Sequence, residues 1–356
     1  MSRITIILLG AALAATACAT APPPPVPEIA PVLVAASAEG VVVLDTAAES
    51  FFGLTRTGRQ VWQDRAAFHS GAVPVCLARC PDAVFSGAWT GPDPRPWHAT
   101  PAGPRPFAAA PSTTAPSTSA PSTSSVRRVL SARTSRDAVI AEGPAGGAGR
   151  LRLIRPDGEP AGVPVDDAAE VVWSEDPGGT TALAVAGDEV LWFRHDRRGW
   201  RRLPGGLRAG RTWGACTAAG GERAVLVGDA PRLLSGRGRA VPIRTDLEVA
   251  AECAAGRGSA VLIARWKDER GTPFTAVRGV DGTGAQTWAR EVRAEAHVRA
   301  DPVRDRFVIA HGGGAELVDG GGRTLKTYPG VSSAAYTGDG QLVLLRADRG
   351  LHWPAP

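Results

Sequence analysis

The chain has 356 residues, of which 44% are hydrophobic and 21% charged, with 43 glycines and 30 prolines. That density of helix breakers excludes a coiled coil, a helical bundle and a polytopic membrane protein. Forty Lys plus Arg against 35 Asp plus Glu give +5, but only Lys267 and Lys326 are lysines and the arginines are scattered in ones and twos. The longest basic run, His195 to Arg202, is broken by Asp196 and Gly199 where a hairpin turn is expected. A nucleic-acid partner needs a sustained basic stripe, so none is expected.

At the N-terminus, Arg3 precedes an uncharged stretch through Ile6-Ile7-Leu8-Leu9 that ends in the small residues Ala15-Thr16-Ala17 before Cys18. This is the n-, h- and cleavage-region order of a secretory signal. The segment resembles a bacterial lipobox, with Ala15 at the position usually held by Leu. The resemblance implies cleavage after residue 17, lipidation of Cys18 and attachment to a membrane of the bacterial cell envelope. Plain secretion and an uncleaved anchor are the alternatives, the latter opposed by the four prolines at 22–25. Residues 18–31, with six prolines and one charge after Cys18, read as an extended tether.

Export places the remaining cysteines, Cys76, Cys80, Cys216 and Cys253, in an oxidising compartment, where an even number predicts disulfides. Cys76 and Cys80 are close enough to close a local loop. Cys216 and Cys253 occupy matching places in consecutive repeats and are expected side by side. Zinc is the competing reading, but neither pair has knuckle spacing or a nearby histidine.

Eight short apolar runs recur along the chain, starting at Val41, Ala83, Ala138, Leu183, Ala224, Ala260, Phe307 and Leu342. Their intervals of 42, 55, 45, 41, 36, 47 and 35 residues match one four-stranded unit each. Glycine turns at 58, 103, 158, 199, 238, 284 and 322 keep the same period out of phase. The fold predicted over residues 32–356 is an all-β β-propeller with four-stranded antiparallel blades, eight by count and seven as the alternative. Val32 to Ser37 would supply the inner strand of the first blade. The tract 111–125, PSTTAPSTSAPSTSS, lacks charge and large apolar groups and reads as a disordered insert that lengthens the second interval.

Two of the turns share the pattern T-G-x-x-x-W: Gly58 with Trp62 and Gly284 with Trp288. Here the chain resembles the quinoprotein-like (PQQ-like, WD40-like) propeller repeat. The resemblance implies that the tryptophans pack between adjacent blades.

Catalytic signals are sparse. His311-Gly312-Gly313-Gly314 resembles an esterase oxyanion segment, but no G-x-S-x-G accompanies it, so a turn is expected. The glycines of 143–149 lack the Lys-Ser/Thr of a phosphate loop, and Asp166, Asp167, Asp301 and Asp305 do not follow a calcium-loop alternation. The histidines at 69, 98, 195, 297, 311 and 352 are dispersed, leaving no visible metal pair. Quinoprotein dehydrogenases similar in repeat hold their cofactor with a vicinal disulfide, and this chain has no Cys-Cys dipeptide. No catalytic, metal-binding or cofactor residue is therefore assigned. The expected role is a monomeric envelope binding or scaffold module for a protein or glycan partner, similar in kind to propeller lipoproteins of outer-membrane assembly. The alternative is an extracytoplasmic propeller enzyme, a dehydrogenase, lyase or glycosidase, with a site assembled in the central channel.

Overall fold

The computed structural model describes residues 31–45, 47–65, 73–76, 83–86, 97–106, 125–131, 139–144, 152–154, 171–176, 180–186, 188–196, 199–203, 207–210, 212–221, 223–235 and 239–355. They form eight antiparallel sheets in chain order and no helix. The first sheet holds β1 (Val32–Ala36), β2 (Gly40–Asp45), β3 (Ser50–Thr55) and β4 (Gln60–Asp64). The second holds β5 (Val73–Cys76), β6 (Ala83–Ser86), β7 (Trp97–Thr100) and β8 (Gly103–Pro106). The third comprises β9 (Ser125–Ser131), β10 (Val139–Pro144) and β11 (Arg152–Ile154). The fourth has β12 (Val171–Glu175), β13 (Thr181–Ala186), β14 (Glu189–Asp196), β15 (Gly199–Arg202) and β16 (Leu207–Arg208). The fifth contains β17 (Thr212–Thr217), β18 (Arg223–Gly228), β19 (Arg232–Ser235) and β20 (Arg239–Pro242). The sixth has β21 (Glu252–Ala255), β22 (Ala260–Lys267), β23 (Pro273–Val280) and β24 (Gln286–Val292). The seventh follows with β25 (Ala296–Ala300), β26 (Arg306–His311), β27 (Gly314–Asp319) and β28 (Thr324–Pro329). The eighth ends the chain with β29 (Val331–Tyr336), β30 (Leu342–Arg346) and β31 (Leu351–His352).

This is a propeller-like all-β fold. Each of the eight apolar runs falls on the second strand of a sheet, β2, β6, β10, β13, β18, β22, β26 and β30. In β2, β13, β18, β22, β26 and β30 they are continuous runs and not alternations because both sides of the strand are buried. Val41, Val42 and Val43 are all fully buried, as are Val343, Leu344 and Leu345. Outer strands face water on one side, and β24 accordingly alternates between half-buried and exposed positions.

The described glycine turns lie between third and fourth strands. Gly58, Gly284 and Gly322 have φ of +83°, +83° and +84°, a conformation that side-chain-bearing residues rarely adopt. Gly103 and Gly199 open β8 and β15, whereas Gly158 and Gly238 lie outside the described residues. His311 to Gly314 forms the β26–β27 hairpin turn, with the Gly313 amide donating to His311 Nδ1 at 3.2 Å.

Three sheets depart from the plain four-strand pattern: the last unit has no room for an outer strand, and residues 155–170, which follow β11, lie outside the described residues. Among the described residues the third and eighth sheets have three strands each. In the fourth, β14 pairs with both β15 and β16, so its outer position is shared by two pieces. The sequence joining those pieces contains Pro204, which lacks a ladder donor, and two glycines. The insert boundary also moves by one residue, since Ser125 already belongs to β9.

The cores lie between sheets. Val261, Ile263, Val298 and Phe307 join the sixth to the seventh, and Val308, Tyr328, Val331 and Leu344 join the seventh to the eighth. Leu33, Val41, Phe52, Val343 and Leu345 form one cluster that joins the eighth sheet back to the first. Polar contacts cross the same seam. The Leu33 amide, on the free edge of β1, donates to Ser333 Oγ of β29 at 2.9 Å. Arg349 pairs with the buried Asp45 at 2.5 Å and lies over the Phe52 ring. Trp353 donates its indole N–H to the Arg56 carbonyl at 2.9 Å, while the Arg56 guanidinium covers the Trp353 ring.

Candidate functional site

Of the residues singled out from sequence, Gly58, Trp62, Gly284 and Trp288 form two copies of one arrangement. Trp62 on β4 stands opposite Gly53 on β3, and Trp288 on β24 stands opposite Gly279 on β23. Each indole lies flat on its glycine, where a Cβ would overlap the ring. Trp288 then reaches the next sheet, packing on Gly322 and donating Nε1–H to the Gly320 carbonyl at 3.0 Å. The Gly53 seat is closed from the second sheet by the Pro101 carbonyl. The turn glycines face the other way. A Cβ on Gly284 would come within 2.7 Å of Pro242 O in the preceding sheet, and one on Gly58 would face Leu351 N at 3.9 Å. Each motif thus wedges one sheet between two neighbours, a packing role. The glycine seats were missed from sequence, although both stand nine residues before their tryptophan.

The cysteines separate into a described pair and an undescribed one. Cys216 on β17 and Cys253 on β21 are joined by a disulfide with Cα atoms 5.9 Å apart. It links the first strands of the fifth and sixth sheets beside Val225, Val227 and Leu262. Cys76 ends β5, while Cys18 and Cys80 lie outside the described residues. The 37-residue separation of the linked cysteines implies, on the chain-entropy account, about 4 kcal/mol of stabilisation. A Cys216→Ser, Cys253→Ser variant is expected to lose that amount in denaturant unfolding. Non-reducing peptide mapping is expected to recover the two peptides linked.

A gathering of ionisable groups lies on the first two strands of the sixth sheet and the first strand of the seventh. Arg265 of β22 sits at its centre. Its Nε and Nη2 donate to the Ala296 carbonyl of β25 at 3.2 and 2.7 Å, and its Nη1 pairs with Glu252 of β21. Ala296 and Val298 bury one face of β25, which by the two-residue alternation of a strand puts His297 and Arg299 together on the other. The His297 side chain makes no hydrogen bond among the described residues. Arg299 makes one, from Nη1 to its neighbour's Val298 carbonyl at 3.1 Å.

Electrostatics bind the four groups together. Burial raises the Glu252 carboxyl, but the hydrogen bond and charge of Arg265, aided by Arg299 and His297, hold it below its ordinary value. Burial, then the charges of Arg299 and Arg265, pull His297 down against Glu295 and Glu252. Arg299 is also lowered, by burial and by Arg265, against the opposing pull of Glu252. Arg299 is exposed and His297 half-buried.

The lowered His297 pKa has a definite sign in stability. The unfolded chain takes up the proton near 6.5 while the folded chain resists it, so this histidine costs stability as pH falls through that value. A His297→Gln variant is expected to show a flatter fall of Tm between about pH 8 and pH 5. Its charged neighbours for that purpose are Arg299, Arg265, Glu295 and Glu252.

Sequence reading missed this site because its members come from three strands and stand alone along the chain. Among the described residues no three His, Cys, Asp or Glu side chains gather to hold a metal ion. No described helix is long and apolar enough to cross a membrane.

No family model matches the chain, and no curated protein matches it. Among solved structures it is similar to the computationally designed Ika8 protein, at 12% identity and TM-score 0.57 over 92% of this chain and 96% of that one. It also matches a chain of Kuenenia stuttgartiensis hydrazine synthase at 12% identity and TM-score 0.37, over 62% of this chain and 74% of that one. A chain of a mitotic checkpoint complex matches at 12% identity and TM-score 0.38, over 80% and 91%. The likeness to Ika8 shows the fold alone.

Proposed function

We propose that the chain is an exported, lipid-anchored ring of eight blades that serves the bacterial cell envelope as a binding module. The eight-sheet order supports the count, and the seam supports closure. Gly58 faces the eighth sheet as Gly284 faces the fifth, which supports a like relation between the eighth sheet and the first. The Cys216–Cys253 bond suits an oxidising compartment, in keeping with a signal segment that ends at residue 17, just before Cys18.

The observation that carries the binding role is the inner-strand cluster. His297 and Arg299 keep nearly all their hydrogen-bonding capacity open on a partly desolvated surface. Such groups are positioned to receive a partner and contribute little to holding the fold. The test is affinity capture from detergent-solubilised envelope with the wild-type chain and with an Arg299→Ala variant. A stoichiometric partner retained by the first and lost by the second supports the reading. Equal recovery by both removes the cluster from recognition. A parallel Cys18→Ala variant is expected to leave the membrane fraction, and its continued sedimentation with membranes would refute the anchor.

A further inference from the structure

The inner-strand cluster gathers three nitrogenous groups around one carboxylate already taken. Glu252 is engaged by Arg265, whose remaining donors are spent on the Ala296 carbonyl. Arg299 and His297 therefore share a face of β25 with no carboxylate within pairing distance of either among the described residues. Bringing guanidinium groups together is unfavourable, because each raises the cost of charging the other. The fold nevertheless builds the arrangement rigidly, with Arg265 tying β22 to β25 and Val298 packed in the core between the two sheets. Glu252 and Glu295 act on the pair only through their fields, so the open donors of Arg299 and His297 have no carboxylate bonded to them among the described residues.

Resting on the binding-module reading, we propose that His297 and Arg299, backed by Arg265, form an oxyanion site for a carboxylate or phosphate group of the partner. A planar guanidinium presents paired donors that match either group bidentately. Most of the Arg299 donors are open for that purpose. His297, once protonated, adds a further donor two residues away on the same face of the strand. Arg265 contributes field and not contact, since its own donors are occupied, and Glu252 holds it in place. An oxyanion at this position restores the opposing charge, so binding takes up a proton on His297 and strengthens as pH falls through the histidine range.

The test follows the His297 ring by NMR in the full chain, its signal assigned by its loss in His297→Gln. Inorganic phosphate and acetate are titrated separately at constant ionic strength set with sodium chloride. The expected result is a saturable shift of the His297 signals with at least one of the two, together with an upward move of its pKa. Arg299→Ala is expected to weaken binding at least tenfold, with Arg299→Lys recovering part of it. Saturation by phosphate alone identifies a phosphate ligand, and saturation by acetate a carboxylate. An unmoved histidine, or the same shift from chloride, overturns the proposal. Partner capture that persists unchanged in Arg299→Ala beside a silent titration would refute this site while leaving the binding module standing.

Discussion

Replacing Gly279 with alanine is expected to lower the unfolding free energy by about 3 kcal/mol, an effect far beyond that of an ordinary strand substitution. The added methyl has no room. It would occupy the space of the Trp288 indole, which lies against the glycine from the paired strand. Expelling the ring breaks its N–H bond to the Gly320 carbonyl and uncovers Gly322, so the loss is shared between two sheets. Gly53→Ala is expected to act in the same way through Trp62 and the second sheet. Urea unfolding followed by tryptophan fluorescence measures both. Unchanged midpoints would mean that the indoles do not lie on their glycines.

Removing residues 331–356 is expected to have a larger effect, leaving no cooperatively folded chain. Full burial of a large aliphatic side chain contributes about 1.5–3 kcal/mol, and the eighth sheet buries Val343, Leu344 and Leu345 completely. The deletion would also uncover two faces at once. Leu33, Val41, Phe52 and Leu54 would lose cover on the first sheet, as would Val308, Ala310, Leu317 and Tyr328 on the seventh. Exposed apolar faces beside open strand edges associate, so the truncated chain is expected to aggregate or to unfold without a sharp transition. A sharp thermal transition of native size from the truncated protein would show that the last sheet is an accessory.

The fold was legible in the sequence to the extent that its physics is periodic. Second strands buried on both faces leave apolar runs, and these marked every sheet. The positive φ at the turn after the third strand leaves a glycine, and Gly58, Gly284 and Gly322 marked that turn. Cys216 and Cys253 could be paired because equivalent positions in adjacent repeats become neighbours in space. Short-range rules did not reach the broken outer strand of the fourth sheet. They also missed the glycine seats under Trp62 and Trp288, whose purpose appears only when the opposite strand is in register. The candidate site was the least legible. Glu252, Arg265, His297 and Arg299 lie on three strands of two sheets, and each in isolation reads as a surface residue. The seam was equally hidden, since Leu33 and Ser333 stand 300 residues apart.

That last contact supplies the most direct measurement. In a closed ring the Leu33 amide, on the inner edge of β1, is protected by the Ser333 hydroxyl of the eighth sheet. Native-state hydrogen exchange should be followed at Leu33 and across β1 to β4 in the wild type and in Ser333→Ala. Orphaning a buried amide costs about 1–3 kcal/mol, which corresponds to exchange faster by roughly five- to 150-fold. A closed ring predicts that acceleration at Leu33, spreading into the first sheet from a substitution at the opposite end of the chain. First-sheet exchange unchanged by Ser333→Ala, with acceleration confined to β29 to β31, would contradict closure.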